Sequence, residues 1–330
     1  MKLSVVIPVY NGANFIQKSY QSILNQELED FEILYVDNNS VDTSVLEINK
    51  LVNQDSRVQL LIQSKQGAAP ARNLGIENAK GEYIYIFDVD DEIYPTALHK
   101  MIAVLDANPD VEAVFGKMVK SYKGISETKK PNDETNNVLF KEQPYWGMYW
   151  FENLKYVVGP PAFLYRKTIF ERIGSYNENI KNTEDTAFDI KLGMTSKVAF
   201  LDTYVYLYFK HSTSTIEMAK RKENLVSLHW TRFLKSHLPF YLENDVPLRY
   251  KQLLYAYFYK TIGKRIYQTD GFFNRNSLRK VLLQEIAPIK LPLLLRIYLF
   301  KLTLLPFSFL LKFYVYYLVP FYMKNFIEKL

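Results

Sequence analysis

Residues 83–91 read Tyr-Ile-Tyr-Ile-Phe-Asp-Val-Asp-Asp. Five consecutive apolar or aromatic residues make a run of strand length, and the lack of polar alternation fits a strand buried on both faces. The three carboxylates that follow, Asp88, Asp90 and Asp91, repel one another unless a cation or a shared proton compensates them. Oxygen-rich ligation of this kind suits Mg²⁺ or Mn²⁺, which take one or two carboxylates and complete their shell with water and phosphate. A solvated acidic turn that caps the next helix is the plain alternative.

Outward from this stretch the same alternation repeats. Residues 3–9, 32–36, 58–62 and 111–115 read as strands, and 13–26, 43–53 and 69–79 as helices with apolar positions at helical spacing. Pro95 suits the start of a further helix that runs to 108. This order predicts an α/β fold with a mostly parallel sheet and helices on both faces. In such sheets a ligand sits beyond the carboxyl ends of the strands. The residues there are Pro8-Val9-Tyr10-Asn11, Asp37-Asn38-Asn39-Ser40-Val41-Asp42 and Asp88-Val89-Asp90-Asp91, which bring five carboxylates to one edge.

The rest of the 330 residues limits the chemistry. With no cysteine there is no disulfide, thiolate metal site or cysteine nucleophile, and the composition fits a reducing compartment. The four histidines are scattered and form no zinc pattern. The apolar run 3–9 is short, contains Pro8 and leads into a turn, so a buried strand is expected rather than a signal peptide, with the chain on the cytoplasmic side. The net charge of +6 hides a split: residues 1–209 carry 21 Lys/Arg against 28 Asp/Glu, and residues 210–330 carry 20 against 7.

The stretches VVIPVYNGANFI (5–16), SILNQ (22–26), ILYVDNNSVDTS (33–44), GAAPARNLGIENAKGEYIYIFDVDDEIYP (67–95) and NTEDTAFDIKL (182–192) resemble, in this order, the motifs of glycosyltransferase family 2. Members are inverting enzymes with the GT-A fold, and the resemblance covers roughly residues 1–215. It implies a metal-dependent, hexosyltransferase-type enzyme that moves a sugar from a nucleotide-sugar donor to a hydroxyl. The loop Pro8 to Tyr10 would wrap the base, Asp37 would hold the nucleoside, and Arg72 would lie near the base and phosphates. Asp88-Val89-Asp90 matches the DxD motif, with Asp88 at the ribose or a metal-bound water and Asp90 on the Mn²⁺ or Mg²⁺ of the diphosphate. Asp91 would support the loop. Asp185 of the Glu184-Asp185 pair would be the general base, Glu184 its support, and His211 a further metal or phosphate contact. At the position where many members carry a uracil-reading aspartate stands Asn38, whose amide both donates and accepts. A UDP-sugar is the first expectation, and dTDP- and GDP-sugars stay open.

Between these motifs, residues 158–166 (VGPPAFLYR) read as a loop and fall where the family places its acceptor-facing segment. Residues 121–137 are polar and Lys-rich and read as an exposed excursion. Trp146, Tyr149, Trp150 and Tyr156 read as core before sugar platform. Two other functions fit acidic metal ligands on an α/β sheet less well. A sugar nucleotidyltransferase would carry a Gly-rich phosphate loop where this chain has only Gly12. A non-catalytic nucleotide-sugar or membrane-binding homologue would not need Asp88, Asp90 and Asp185.

Beyond residue 216 helical patterns take over, with helices expected over 225–238 and 248–266. The uncharged runs 302–311 and 313–323 are separated by Lys312 and broken by Pro306 and Pro320, and neither approaches the roughly 18 to 20 residues that span a bilayer. Arg296, Lys301, Lys312, Lys324 and Lys329 among Leu, Phe and Tyr fit helices lying in a lipid headgroup region, with anionic lipid rather than nucleic acid as the partner. The expected organisation is therefore a catalytic domain over 1–215 and a basic, aromatic-rich, membrane-interfacial region over 216–330. The expected location is peripheral to the inner face of the cell membrane. The acceptor would be a glycan or a lipid-linked sugar in cell-surface polysaccharide synthesis.

Overall fold

The computed structural model describes residues 1–212 and 225–329; the boundary expected at 215/216 lies outside the described residues. The chain divides into two compact units, Met1–Glu223 and Asn224–Leu330.

In the first unit β1 (Leu3–Val9), β2 (Phe31–Asp37), β3 (Val58–Ile62) and β4 (Tyr83–Ile86) alternate with α1 (Ala13–Leu24), α2 (Ser44–Gln54) and α3 (Ala68–Asn78). The four strands pair in parallel in the order β3-β2-β1-β4. Every residue of β2 is buried, as the apolar run 33–36 requires of a strand covered on both faces, and the burial extends to the charged Glu32 and Asp37. The chain then adds β5 (Glu92–Ile93), α4 (Ala97–Ala107), β6 (Ala113–Ser121), β7 (Val138–Phe140), α5 (Tyr145–Glu152), β8 (Phe163–Arg166), α6 (Thr168–Ile173), α7 (Glu184–Thr195) and β9 (Val198–Phe209). The full sheet runs β3-β2-β1-β4-β8-β6-β9-β5, with β7 on β9.

Two expectations change here. Helix α4 begins at Ala97 rather than at Pro95, after Thr96 turns into the left-handed region at φ 62°. The segment 158–166 is not all loop: its last four residues form β8, which inserts antiparallel between β4 and β6. The stretch 121–137 lies at the surface but is pinned, because the Glu134 carboxylate accepts from the Tyr204 amide at 2.6 Å and from Thr203 Oγ1 at 2.7 Å.

The strand order places β2 on one side of β1 and β4 on the other, so a crevice opens beyond their carboxyl ends. Register sets Val9 beside Asp37 and Val6 beside Ile86, which brings the three polar turns to one edge. Helix α7 enters this region with its position fixed by α5. A Cβ on Gly147 would lie 2.4 Å from the Met194 nitrogen, and one on Gly193 2.4 Å from the Gly147 nitrogen, so only this glycine pair lets the two backbones touch. Trp146 and Trp150 fill the space beneath and are core; Tyr149 instead stacks between Tyr145 and Tyr156 at the surface.

In the second unit the helix Leu248–Tyr267 buries Tyr250, Leu254, Phe258, Tyr259, Ile262 and Ile266. It packs against helices Phe272–Glu285, Leu293–Leu304, Ser308–Phe313 and Val319–Asn325. The helix expected over 225–238 spans Leu225–Arg232, a wider π-type turn over Phe233–His237, and Leu238–Glu243. Among the described residues no helix is long and apolar enough to cross a membrane.

Candidate active site

The turns after β1 and β2 are stitched together. The Asn11 amide donates to Ser40 Oγ at 2.9 Å, and Asn11 Oδ1 accepts from the Val41 amide at 2.8 Å. Asp37, at the end of β2, is buried; its Oδ2 accepts from the Ser40 amide at 3.3 Å, and its Oδ1 has no hydrogen-bond partner. Folding has thus covered one acceptor without supplying a donor from within the described residues. Pro8 is half-buried and Tyr10 exposed beside this turn.

Each carboxylate after β4 has a different partner, and this offsets part of their mutual repulsion. Asp88 Oδ1 accepts from Arg72 Nη2 at 3.2 Å. Asp90 Oδ2 lies 2.8 Å from His211 Nε2. Asp91 Oδ1 accepts from the Phe209 amide at 2.9 Å, tying the turn to the end of β9 that leads into His211. The His211 ring packs on Phe15 and Phe209. Burial, then Asp88, push the Asp90 carboxyl up, while the His211 hydrogen bond pulls it back. Burial, then Asp90 and Asp88, push Asp91 far up. Val89 turns its side chain toward Gly12, where a Cβ would lie 3.0 Å from Val89 Cγ1.

Two of these groups suit a divalent cation. Asp90 and His211 are both part-buried and within hydrogen-bond distance; the carboxylate oxygen suits Mg²⁺ or Mn²⁺, and the imidazole nitrogen suits the softer Mn²⁺ better than Mg²⁺. Among the described residues no three His, Asp or Glu side chains form a metal-holding group. The remaining ligands of such an ion would be water and phosphate oxygens, which is the usual habit of Mg²⁺.

Arg72 joins this edge to α7. Its guanidinium is buried, with Nη1 donating to Glu184 Oε1 at 3.0 Å and Nη2 to Asp88, and it lies 5.4 Å from the centre of the Tyr176 ring. Both terminal nitrogens of Arg72 thus face carboxylates within the fold. Burial works against its charge, but Asp88 and Glu184 outweigh it and hold it protonated. Burial, then Asp185, push the Glu184 carboxyl up against the pull of Arg72. Next to it, Asp185 sits in the first turn of α7, where the helix dipole favours negative charge. Its Oδ1 accepts from the Thr186 amide at 2.6 Å and Oγ1 at 3.3 Å; its Oδ2 has no hydrogen bond among the described residues.

Several residues of this neighbourhood were not singled out from the sequence. Asn73 holds the approach to α7: its Nδ2 donates to Tyr176 O and Glu178 Oε1, and its Oδ1 accepts from the Tyr176 amide, all at 2.9 Å. Asp189, four residues after Asp185 and so on the same helical side, is fully buried, and burial, then Asp185, push its carboxyl far up against the pull of Arg72 and the Gly159 amide. The i, i+4 spacing of acidic residues was the available signal.

Residues 4–174 match the family profile described as Glycosyl transferase family 2, a span that holds Asp37, Arg72, Asp88 and Asp90. The chain belongs to glycosyl transferase family 2. Among relatives in this family, the uncharacterized glycosyltransferase EpsJ of Bacillus subtilis is 27% identical over 218 residues, 66% of this chain and 63% of that protein. The match thus spans less than two thirds of that relative's length. S. aureus TarS 1–349, solved in complex with UDP-GlcNAc, is similar with a TM-score of 0.62 at 18% identity, over 92% of this chain and 90% of that one. The mannosyltransferase PcManGT from Pyrobaculum calidifontis, solved with GDP-Man and Mn²⁺, is similar with a TM-score of 0.51 at 15% identity, over 98% and 86%. The fold is that of the GT-A family 2 enzymes.

Proposed function

We propose that this chain is an inverting glycosyltransferase that moves a sugar from a nucleotide-sugar donor to a hydroxyl of a glycan or lipid-linked acceptor. The observation that carries this reading is the Arg72 bridge, which joins the acidic turn after β4 to the helix that begins with Glu184 and Asp185. Asp185 takes the proton of the acceptor hydroxyl; the oxygen attacks the anomeric carbon from the face opposite the diphosphate. The bond to phosphate breaks, and its electron pair leaves with the nucleoside diphosphate. Glu184 and Arg72 hold the helix start, and Asp37 with the Pro8 to Tyr10 turn receives the nucleoside. A divalent cation held by Asp90 and His211 would supply positive charge to the diphosphate. The donors named for TarS and PcManGT, UDP-GlcNAc and GDP-Man, support a nucleotide-sugar, and the Mn²⁺ of PcManGT supports the cation.

The test is donor turnover with UDP-, dTDP- and GDP-sugars, with Mn²⁺ and with EDTA. One donor class is expected to turn over, and chelation to stop it. No turnover of any donor with purified acceptor glycans would count against the reading.

We further propose that the second unit works at the inner membrane face. On helix Leu293–Leu304, Leu295, Leu299 and Leu302 are buried, while Leu293, Ile297, Phe300 and Leu304 repeat the same spacing on the exposed side. Phe309, Phe313, Tyr317 and Phe321 continue this exposed series. Arg296, Lys301, Lys312 and Lys324 are exposed among them, and 291–327 contains no acid. Apolar groups interleaved with cations suit anionic lipid, whereas two like-charged faces repel each other. Changing Phe309, Phe313 and Phe321 together to Ser is expected to lower co-sedimentation with phosphatidylglycerol vesicles roughly tenfold or more, since each buried Phe contributes about 1.5–3 kcal/mol. Unchanged vesicle binding would contradict the assignment.

A further inference from the structure

Asn38 lies immediately after Asp37, where the family resemblance suggests a residue facing the base. Its amide is already fully used. Nδ2 donates to Gln63 O at 2.9 Å and Lys65 O at 2.7 Å, and Oδ1 accepts from the Gly67 amide at 2.6 Å and Gln66 Nε2 at 3.3 Å. Two carbonyls on one side and a backbone N–H on the other fix which end is nitrogen. The side chain is buried, so contact with a nucleotide would require breaking this set.

All four partners belong to one loop, residues 63–67, which joins β3 to α3. Asn39 adds two bonds from its Nδ2, to Ser64 O at 2.9 Å and Gln66 Oε1 at 3.2 Å. The Gln63 amide donates to Asp37 O at 2.8 Å, so the loop starts beside the orphaned Asp37 carboxylate oxygen. It ends at Gly67, whose φ of 140° with ψ 152° is open to glycine alone, and this residue sets the entry into α3, the helix that carries Arg72.

We infer that Asn38 is a positioning residue, and that loop 63–67, which it staples to β2, forms the wall of the pocket against which the nucleobase is read. This rests on the nucleotide-sugar reading above. An aspartate at this position would turn acceptor oxygens toward the carbonyls of Gln63 and Lys65 and release the loop. Asn38 then sets how well any nucleotide binds, and the loop sets which base is preferred.

The experiment measures binding of UDP, dTDP and GDP, each with Mn²⁺, to the wild type, Asn38→Asp and Asn38→Ser, together with hydrogen exchange of the 63–67 amides without nucleotide. Asn38→Ser removes the same bonds without adding charge, so it covers a failure of the aspartate variant to fold. Both variants are expected to weaken every nucleotide roughly tenfold or more, narrow the preference between bases, and speed exchange in the loop. A base preference as sharp as in the wild type, or one that changes while the loop exchanges at the wild-type rate, would overturn the proposal, the latter because it would mean that Asn38 reads the base itself. Unchanged affinities, or wild-type exchange in the loop, would overturn it as well. If the wild type binds no nucleoside diphosphate, the donor reading fails, and the exchange data still decide whether Asn38 holds the loop.

Discussion

Asp185→Asn loses about 10²- to 10⁴-fold in turnover, the contribution typical of a positioned general base, and keeps donor affinity within about twofold. The substitution is close to isosteric. The amide oxygen can still accept from the Thr186 amide, so the first turn of α7 is retained. What disappears is the ability to take a proton from an acceptor hydroxyl, which is a weak nucleophile at neutral pH. Loss of the charge at the helix start costs about 0.3–1 kcal/mol through the dipole, and relief of the repulsion on Glu184 offsets part of that. The melting temperature should therefore stay within a few degrees while turnover collapses. A variant that keeps its rate would place the base elsewhere.

Replacing Arg72 by Met acts on stability as well as on rate. Removing one partner of a buried ion pair leaves uncompensated charge, at a cost of about 3–5 kcal/mol. Here two carboxylates, Glu184 and Asp88, lose the same guanidinium. For a domain of this size the cost corresponds to a fall in melting temperature of roughly 10 °C. The deficit should depend on pH with a definite sign. Without Arg72 the folded-state pKa of Glu184 rises further above its unfolded value. The variant is then favoured below the unfolded value, where the carboxyl is protonated in both states, and loses stability as pH rises through and above it. Thermal melts at pH 5 and pH 8 should show the gap to wild type widening at pH 8. Arg72→Lys keeps the charge but cannot fork to both carboxylates, so it should fall between the two. A pH-independent deficit would mean that Glu184 is not held by Arg72.

The parts of this molecule that the sequence discloses are those governed by local period and by the rule of strand ends. β1 to β4 follow from short, mostly apolar runs bounded by turn residues, and Asp37, Asp88 and Asp90 follow from standing at or just beyond their ends. The partners were not legible, because they are long-range: Arg72 meets Glu184 across 112 positions, and His211 meets Asp90 across 121. For the same reason Asn38 reads as a donor contact in the sequence and as a loop staple in the fold, where its partners lie 25 to 29 positions away. Four residues of β8 carry too little pattern to separate them from the loop before them; only pairing with β4 and β6 makes them a strand. In the tail the uncharged runs were visible, but which side of each helix stays exposed depends on packing against Leu248–Tyr267.

The central claim is direct displacement at the anomeric carbon, assisted by Asp185. Its most direct measurement is the anomeric configuration of the first sugar released when the wild-type enzyme hydrolyses its donor, water taking the place of the acceptor, followed by proton NMR before mutarotation. The configuration opposite to that of the donor is the predicted result. Release with the donor's own configuration would contradict the account, since it requires a second displacement that no residue here has been assigned to perform.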